Sequence, residues 1–221
     1  MTALSGAVVL VVGASGGLGS RLADRLVASG AIVARAGHSA DGVIRTDLRE
    51  TTGPRDLIAE VVAEHGRLDG VVIAAGVVAF GPASELADSA VEELFDVNAI
   101  GPIRLIRDAF PFLVVSAQAG RDPFVVTLSG VVAESPTAGL AAYSASKAAL
   151  ASFVTAASRE FRRSGVRLVD ARPGHTATAL SEHPIAGSAP AFGAALDPDA
   201  VADRIVRAIV EGERDLPSGS F

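Results

Sequence analysis

The chain of 221 residues has no cysteine. That excludes disulfides, a thiolate metal site and a cysteine nucleophile, and it fits a cytoplasmic protein. Positive charge is also in short supply. A formal net charge of −6 argues against a general nucleic-acid or anionic-membrane surface. No run reaches the ~18 uninterrupted apolar residues of a membrane span. The long uncharged stretch from Gly70 to Ser84 is broken by Gly76, Gly81 and Pro82. No Lys or Arg precedes the first apolar run, and that run stops in a glycine-rich loop at Gly13, so it reads as a buried strand and not as a targeting segment. The four histidines are scattered, with no carboxylate–histidine pair recurring on one helix face, and give no metal-ligand spacing. What remains is a globular composition, nearly half hydrophobic and a fifth charged, with length for one domain and one sizeable core.

Along that domain, strand and helix patterns alternate. Ala7–Val12 is a continuous apolar, β-branched run, as in a strand buried on both faces. Gly13-Ala-Ser15-Gly16-Gly17-Leu18-Gly19 follows at once, and Leu18, Leu22 and Leu26 then mark a helix ending near Gly30. A glycine turn between strand and helix is a phosphate-binding context, because the backbone can come close and the helix start offers free N–H groups. Further strands are expected at 32–36, 43–46, 71–75, 124–128 and 166–170. Helices are expected from Gly53-Pro54 to Gly66, from Ser89 to about Ala117 with a bend near Gly101-Pro102, from about Leu140 to Arg163, and from an Asp197 N-cap to Gly212. The pattern predicts an α/β fold, a doubly wound parallel sheet of Rossmann type in a single domain. Gly13, Asp47, Gly76, Ser129 and Pro173 all stand at expected strand ends, so they converge on the edge where such sheets bind ligands.

Tyr143-Ser-Ala-Ser-Lys147 sits among small apolar residues. On a helix, positions four apart share a face, which puts a phenol beside an ammonium. A neighbouring cation favours the phenolate and lowers the phenol pKa, so the pair is a reasonable proton donor and acceptor. An ordinary amphipathic surface is the plainer account of the same spacing.

Together these motifs resemble the short-chain dehydrogenase/reductase family over essentially the whole chain, as a compact member. Gly13-x-x-x-Gly17-x-Gly19 matches the family's cofactor loop, with Val12 where Thr is usual. Asp47-Leu48 matches the pair that holds the adenine. Ala74-Ala75-Gly76 matches an Asn-Ala-Gly element that has lost its Asn. Asn98, Tyr143 and Lys147 match members of the catalytic tetrad. Pro173-Gly174-x-Thr176-x-Thr178 matches the segment at the nicotinamide end. The resemblance implies hydride transfer between a nicotinamide and a carbonyl or alcohol carbon. In it Tyr143 donates the proton, Lys147 lowers the phenol pKa and holds the ribose, and Asn98 positions a water leading to solvent.

The resemblance has one serious departure. The family's second serine after the fifth strand falls on Gly130, and Ser129 is the first of the two positions. Either Ser129 substitutes or backbone and water serve, and loss of one such donor costs ~10²–10³ in rate elsewhere. The alternative function is an NADP-binding sensor or assembly protein with weak or no catalysis. At the end of the second strand no acid stands to accept a ribose hydroxyl. Gly37 and His38 occupy the place, with Arg35 nearby, so NADP is expected over NAD. Residues 175–196, rich in Ala, Gly and Pro, are the expected substrate lid and suggest an apolar carbonyl or alcohol substrate. The resemblance further implies a homodimer or homotetramer through the Tyr143 helix and the long helix before it, with Ala145, Ala148, Ser152 and Ala156 allowing close packing.

Overall fold

The computed structural model describes residues 1–38 and 42–221. Six strands form one parallel sheet: β1 (Val8–Val12), β2 (Ile32–Gly37), β3 (Ile44–Arg45), β4 (Gly70–Ile73), β5 (Phe124–Leu128) and β6 (Arg167–Ala171). Their spatial order is β3-β2-β1-β4-β5-β6, so the order reverses between β1 and β4. All five residues of β1 are buried, because helices cover both faces of the sheet. Val8, Leu10 and Val12 enter one core with Leu105, Ile106, Leu150 and Val154. Val9 and Val11 enter the other with Leu22, Leu26, Ile205 and Ile209. This is the two-residue alternation of a strand served by two separate cores.

The helices are α1 (Gly17–Ala28), α2 (Gly53–His65), α3 (Asp88–Phe95), α4 (Gly101–Gln118), α5 (Ala141–Phe161) and α6 (Pro198–Glu211). Several ends are written in local chemistry. Pro54 opens α2, and Gly66 closes it at φ 74°. The Asp197 side chain accepts from Asp199 N at 3.0 Å, and Gly212 closes α6 at φ 78°. The expected long helix from Ser89 is α3 and α4 joined by a π-helical turn over Asp96–Ile100. Pro102 has no N–H for the Asn98 carbonyl four residues back, which breaks the α-helical ladder there. The short β2–β3 connection expected from the sequence falls partly on residues outside the described ones. None of the described helices is long and apolar enough to cross a membrane.

Candidate active site

A cavity of about 850 Å³ opens at the carboxyl edge of the sheet, where the strand order reverses. Its floor is the β1–α1 loop. Gly13 has φ +84°, and a Cβ there would lie 2.5 Å from Ala75 N; a Cβ on Gly19 would lie 2.1 Å from the Gly13 carbonyl. Only glycines let this loop fold onto the ends of β1 and β4. The N-cap, Gly16, offers no side-chain cap, and the first turn of α1 holds no acid. The free N–H groups of that turn therefore face the cavity uncompensated. Ser15, Gly16, Gly17 and Leu18 line it here, and Ala74, Ala75 and Gly76 line it from the end of β4.

One end of the cavity is polar. Asp47 is held by Arg49 through contacts of 2.7, 3.0 and 3.1 Å, which keep its carboxyl below the usual carboxylate range. Arg49 also reaches Glu93 at 3.3 Å and lies 3.5 Å from His38. Buried Leu48 packs behind; a Cβ on Gly101 of α4 would meet its carbonyl at 2.6 Å. Thr46, also on the wall, has a buried hydroxyl with no partner among the described residues. Arg35 is a correction. It pairs with Asp24 of α1 at 2.7 Å and is absent from the wall, because alternation sends it to the α1 side of the sheet.

At the other end stand Tyr143 and Lys147 of α5, both on the wall. Tyr143 packs among Val78, Phe80, Val132 and Leu140. Lys147 is buried, and its Nζ donates to the Leu128 carbonyl at 2.9 Å, 5.9 Å from the Tyr143 ring centre. Burial pushes the phenol up to about 12 and the ammonium down to about 8, the latter partly resisted by Asp170. The expected lowering of the phenol by its neighbour is thus overturned: desolvation outweighs a cation whose hydrogen bond goes elsewhere.

Asn98 is fully buried in the π turn. Its Oδ1 accepts from Val77 N at 3.0 Å, and its Nδ2 donates to Val77 O at 2.9 Å and to Ser146 Oγ at 3.1 Å. The amide ties the β4 loop to α5. A Cβ on Gly76 would lie 3.1 Å from Asn98 Oδ1 and 3.2 Å from Lys147 Nζ, so the two side chains close over a bare backbone.

Ser129 lines the cavity, but its hydroxyl is buried and donates to Asp170 of β6 at 2.5 Å. Gly130 has φ 79° and ψ 167°, a region only glycine adopts readily.

Pro173, Thr176 and Thr178 line the cavity, while Gly174 packs toward Leu196 instead. The 175–196 segment is strapped in place. Ile185 N bonds Val78 O at 2.8 Å, Phe80 N bonds Ala186 O at 2.9 Å, and Leu196 N bonds His175 O at 2.7 Å. Leu180, His183 and Phe192 of this segment reach the wall, and Phe192 stacks on His175 with ring centres 4.2 Å apart. Both histidines carry more weight than their scatter in the sequence suggested. Among the described residues no cluster could hold a metal ion.

Three residues in or beside the cavity were missed by sequence reasoning: Thr46 and Arg49 at its polar end, and Asp170 behind Ser129. Arg49 follows Asp47-Leu48 directly, and that adjacency was the available signal. Thr46 and Asp170 gave none, since a polar residue at a strand end is common. Composition alone singles out the pair: Tyr143 is the only tyrosine of the chain and Lys147 its only lysine, beside eighteen arginines.

The short-chain dehydrogenase family model matches residues 7–186. Relatives include a cyclic-di-GMP-binding biofilm dispersal mediator protein of Escherichia coli, 31% identical over 183 residues, which cover 79% of this chain and 75% of that one. A hydroxynaphthalene reductase of Aspergillus fumigatus is 32% identical over 179 residues, 73% of this chain and 63% of that one. Among solved structures, a dehydrogenase/reductase from Sinorhizobium meliloti superposes with a TM-score of 0.82 at 26% identity, covering 99% of this chain and 97% of that one. A 3-ketoacyl-(acyl-carrier-protein) reductase from Brucella melitensis, complexed with NADH, gives 0.85 at 20% identity over 97% of each chain. With a six-stranded parallel sheet wound in the same way, the chain belongs to the short-chain dehydrogenase/reductase family of oxidoreductases.

Proposed function

We infer that the protein is an NAD(P)-dependent carbonyl reductase or alcohol dehydrogenase, with Tyr143 as proton donor in reduction and acceptor in oxidation. The observation that carries this reading is that its sole tyrosine and sole lysine share the wall of one cavity with an uncapped, glycine-lined helix start. The residues fit a dinucleotide: bare backbone at Gly13, Gly19 and Gly76, free N–H groups at α1, and a Thr46 hydroxyl that meets no partner among the described residues. When bound, the nicotinamide cofactor supplies or accepts the hydride. The chain's residues do the rest. The first turn of α1 holds the pyrophosphate, Asp47, Leu48 and Thr46 hold the adenine end, and Lys147 holds the ribose beside Tyr143. Pro173, Thr176 and Thr178 flank the reacting ring. NADP is the preferred form, carried by His38 and Arg49, since Arg35 is taken by Asp24.

Phe80, Phe192, Val131, Val132 and Leu180 suit an apolar carbonyl substrate. Val115 on α4 is 62% exposed, and Ala145, Ser152 and Ala156 lie exposed on α5, consistent with a homodimer or homotetramer. The test is a panel of apolar ketones and aldehydes with NADPH, repeated with Tyr143→Phe. Loss of general-acid help should slow turnover by at least about 10²-fold; turnover indifferent to the change would refute the reading.

A second reading is a nucleotide-binding sensor or assembly protein with little catalysis. It is favoured by Gly130, which brings no hydroxyl, by Ser129, whose hydroxyl is engaged, and by the likeness to a cyclic-di-GMP-binding protein. Calorimetry with NADPH and cyclic-di-GMP, alongside the turnover panel, separates the two. Tight cyclic-di-GMP binding without turnover would select the sensor.

A further inference from the structure

Asp170 is a carboxylate inside a parallel sheet, 4% exposed, where an acid is found only with partners. It faces Thr127 across the β5–β6 register. One oxygen accepts from Thr127 Oγ1 at 2.7 Å; the other accepts from Ser129 Oγ at 2.5 Å and from Arg172 Nη1 at 3.2 Å. Arg172 is not Asp170's alone. It also bonds Asp215 at 2.7 Å and Glu134, so three carboxylates share one guanidinium and negative charge is left over. Leu128, whose carbonyl receives the Lys147 ammonium, is the residue between Thr127 and Ser129. The two hydroxyls that flank Leu128 in sequence are thus pinned to one buried carboxylate.

We propose that Asp170 is the positioning residue of the Tyr143–Lys147 pair. Its bonds to Thr127 and Ser129 fix the Leu128–Gly130 turn on which the Lys147 ammonium docks, and its charge holds that ammonium in the protonated form. The groups facing Lys147 are Tyr143 from its own helix, the Leu128 carbonyl from β5 and the neutral amide oxygen of Asn98 across Gly76; Asp170 of β6 acts on it through charge without a direct contact, and burial raises the Asp170 carboxyl itself against the bonds from Ser129, Thr127 and Arg172. None of the three touching groups brings an opposing charge; that of Asp170 is set against a desolvation that alone favours the neutral amine. The charged groups around Asp170 itself are Arg172 and, through it, Glu134 and Asp215. The Ser129 hydroxyl then serves the turn and not the substrate.

The proposal rests on reading Tyr143 and Lys147 as the reacting pair, but its test does not need turnover. Because Lys147 is the only lysine, isotope-labelled lysine gives one side-chain NMR signal whose titration reports this ammonium directly. Asp170→Asn should lower its midpoint by about half a pH unit or more, while Ser129→Ala, which keeps the charge, should move it less. Arg172→Gln, which removes the shared cation, should raise it. An unmoved midpoint in folded Asp170→Asn overturns the proposal. If that variant does not fold, failure of Arg172→Gln to raise the midpoint overturns it instead. With a turnover assay in hand, the alkaline limb of the reductase pH profile should shift with the midpoint. Absence of turnover beside a shifted midpoint would count against the oxidoreductase reading and leave the assignment of Asp170 standing.

Discussion

A phenol at about 12 beside an ammonium at about 8 leaves Tyr143 protonated at pH 7, with roughly one phenolate in 10⁵ molecules. For carbonyl reduction that is the useful state. The nascent alkoxide belongs to an alcohol about as weakly acidic as water, well weaker than any phenol, so proton transfer from Tyr143 runs downhill. Alcohol oxidation needs the phenolate, so its kcat/KM should rise about tenfold per pH unit from 7 up to the Lys147 midpoint near 8, where the reduction rate holds steady; above that midpoint reduction falls as the ammonium loses its proton. Because the chain has one tyrosine and no tryptophan, its ultraviolet phenolate absorbance titrates Tyr143 alone. A midpoint at or below 10 in the folded protein would contradict the argument. Cofactor choice is also decided by single side chains. Arg49→Ala removes a cation at the polar end and frees Asp47 to repel a phosphate. It should weaken NADPH by at least about tenfold, one charge-assisted contact, while NADH changes little. Paired fluorescence titrations measure both.

At the scale of the element, the turn after β5 shows how backbone and side chains constrain one another. Restoring a hydroxyl by Gly130→Ser finds space, since the nearest atom to a new Cβ is the Pro173 carbonyl at 3.6 Å. The backbone at φ 79°, ψ 167° still makes any side chain pay about 1–3 kcal/mol. Gly130→Ser should therefore unfold at lower denaturant and gain little or no reductase rate; a stable variant with a large gain would refute this. Elements of this kind divide what the sequence makes legible from what it hides. All six strands, the glycine loop, Pro54 and Gly66 at the ends of α2, and Asp197 and Gly212 at those of α6 follow from sequence pattern and local caps. The sequence shows the π turn only as a bend near Gly101-Pro102, because the ladder change depends on how Asn98 is used in three dimensions. Partners were hidden as well. Nothing in the sequence says that Arg35 finds Asp24, that Ser129 finds Asp170, or that Lys147 turns to the Leu128 carbonyl, since each partner comes from a neighbouring element set by the packing.

For the whole molecule, keeping a nearly buried ammonium in the core conflicts with stability. A folded-state pKa of about 8 against an ordinary value of 10.5 means that the unfolded chain binds the Lys147 proton more tightly. The native state is disfavoured on this account below pH 8 and recovers as pH rises towards 10.5. Lys147→Met should then be as stable as the parent or more so at pH 7, by up to about 3 kcal/mol, with the difference shrinking as pH rises and turnover lost at every pH. Denaturant unfolding at pH 7 and pH 10 checks the sign.

Assembly poses the same kind of question. The chain leaves Val115 largely bare on α4, with small exposed residues along α5, and an apolar face of this kind on two adjacent helices fits a self-complementary two-fold contact. Light scattering should give a dimer or tetramer at micromolar concentration. Val115→Glu, which puts a charge at the contact, should shift it towards monomer with the cavity and its cofactor affinity intact. A wild-type protein that is already monomeric under those conditions would remove the case for pairing through these helices.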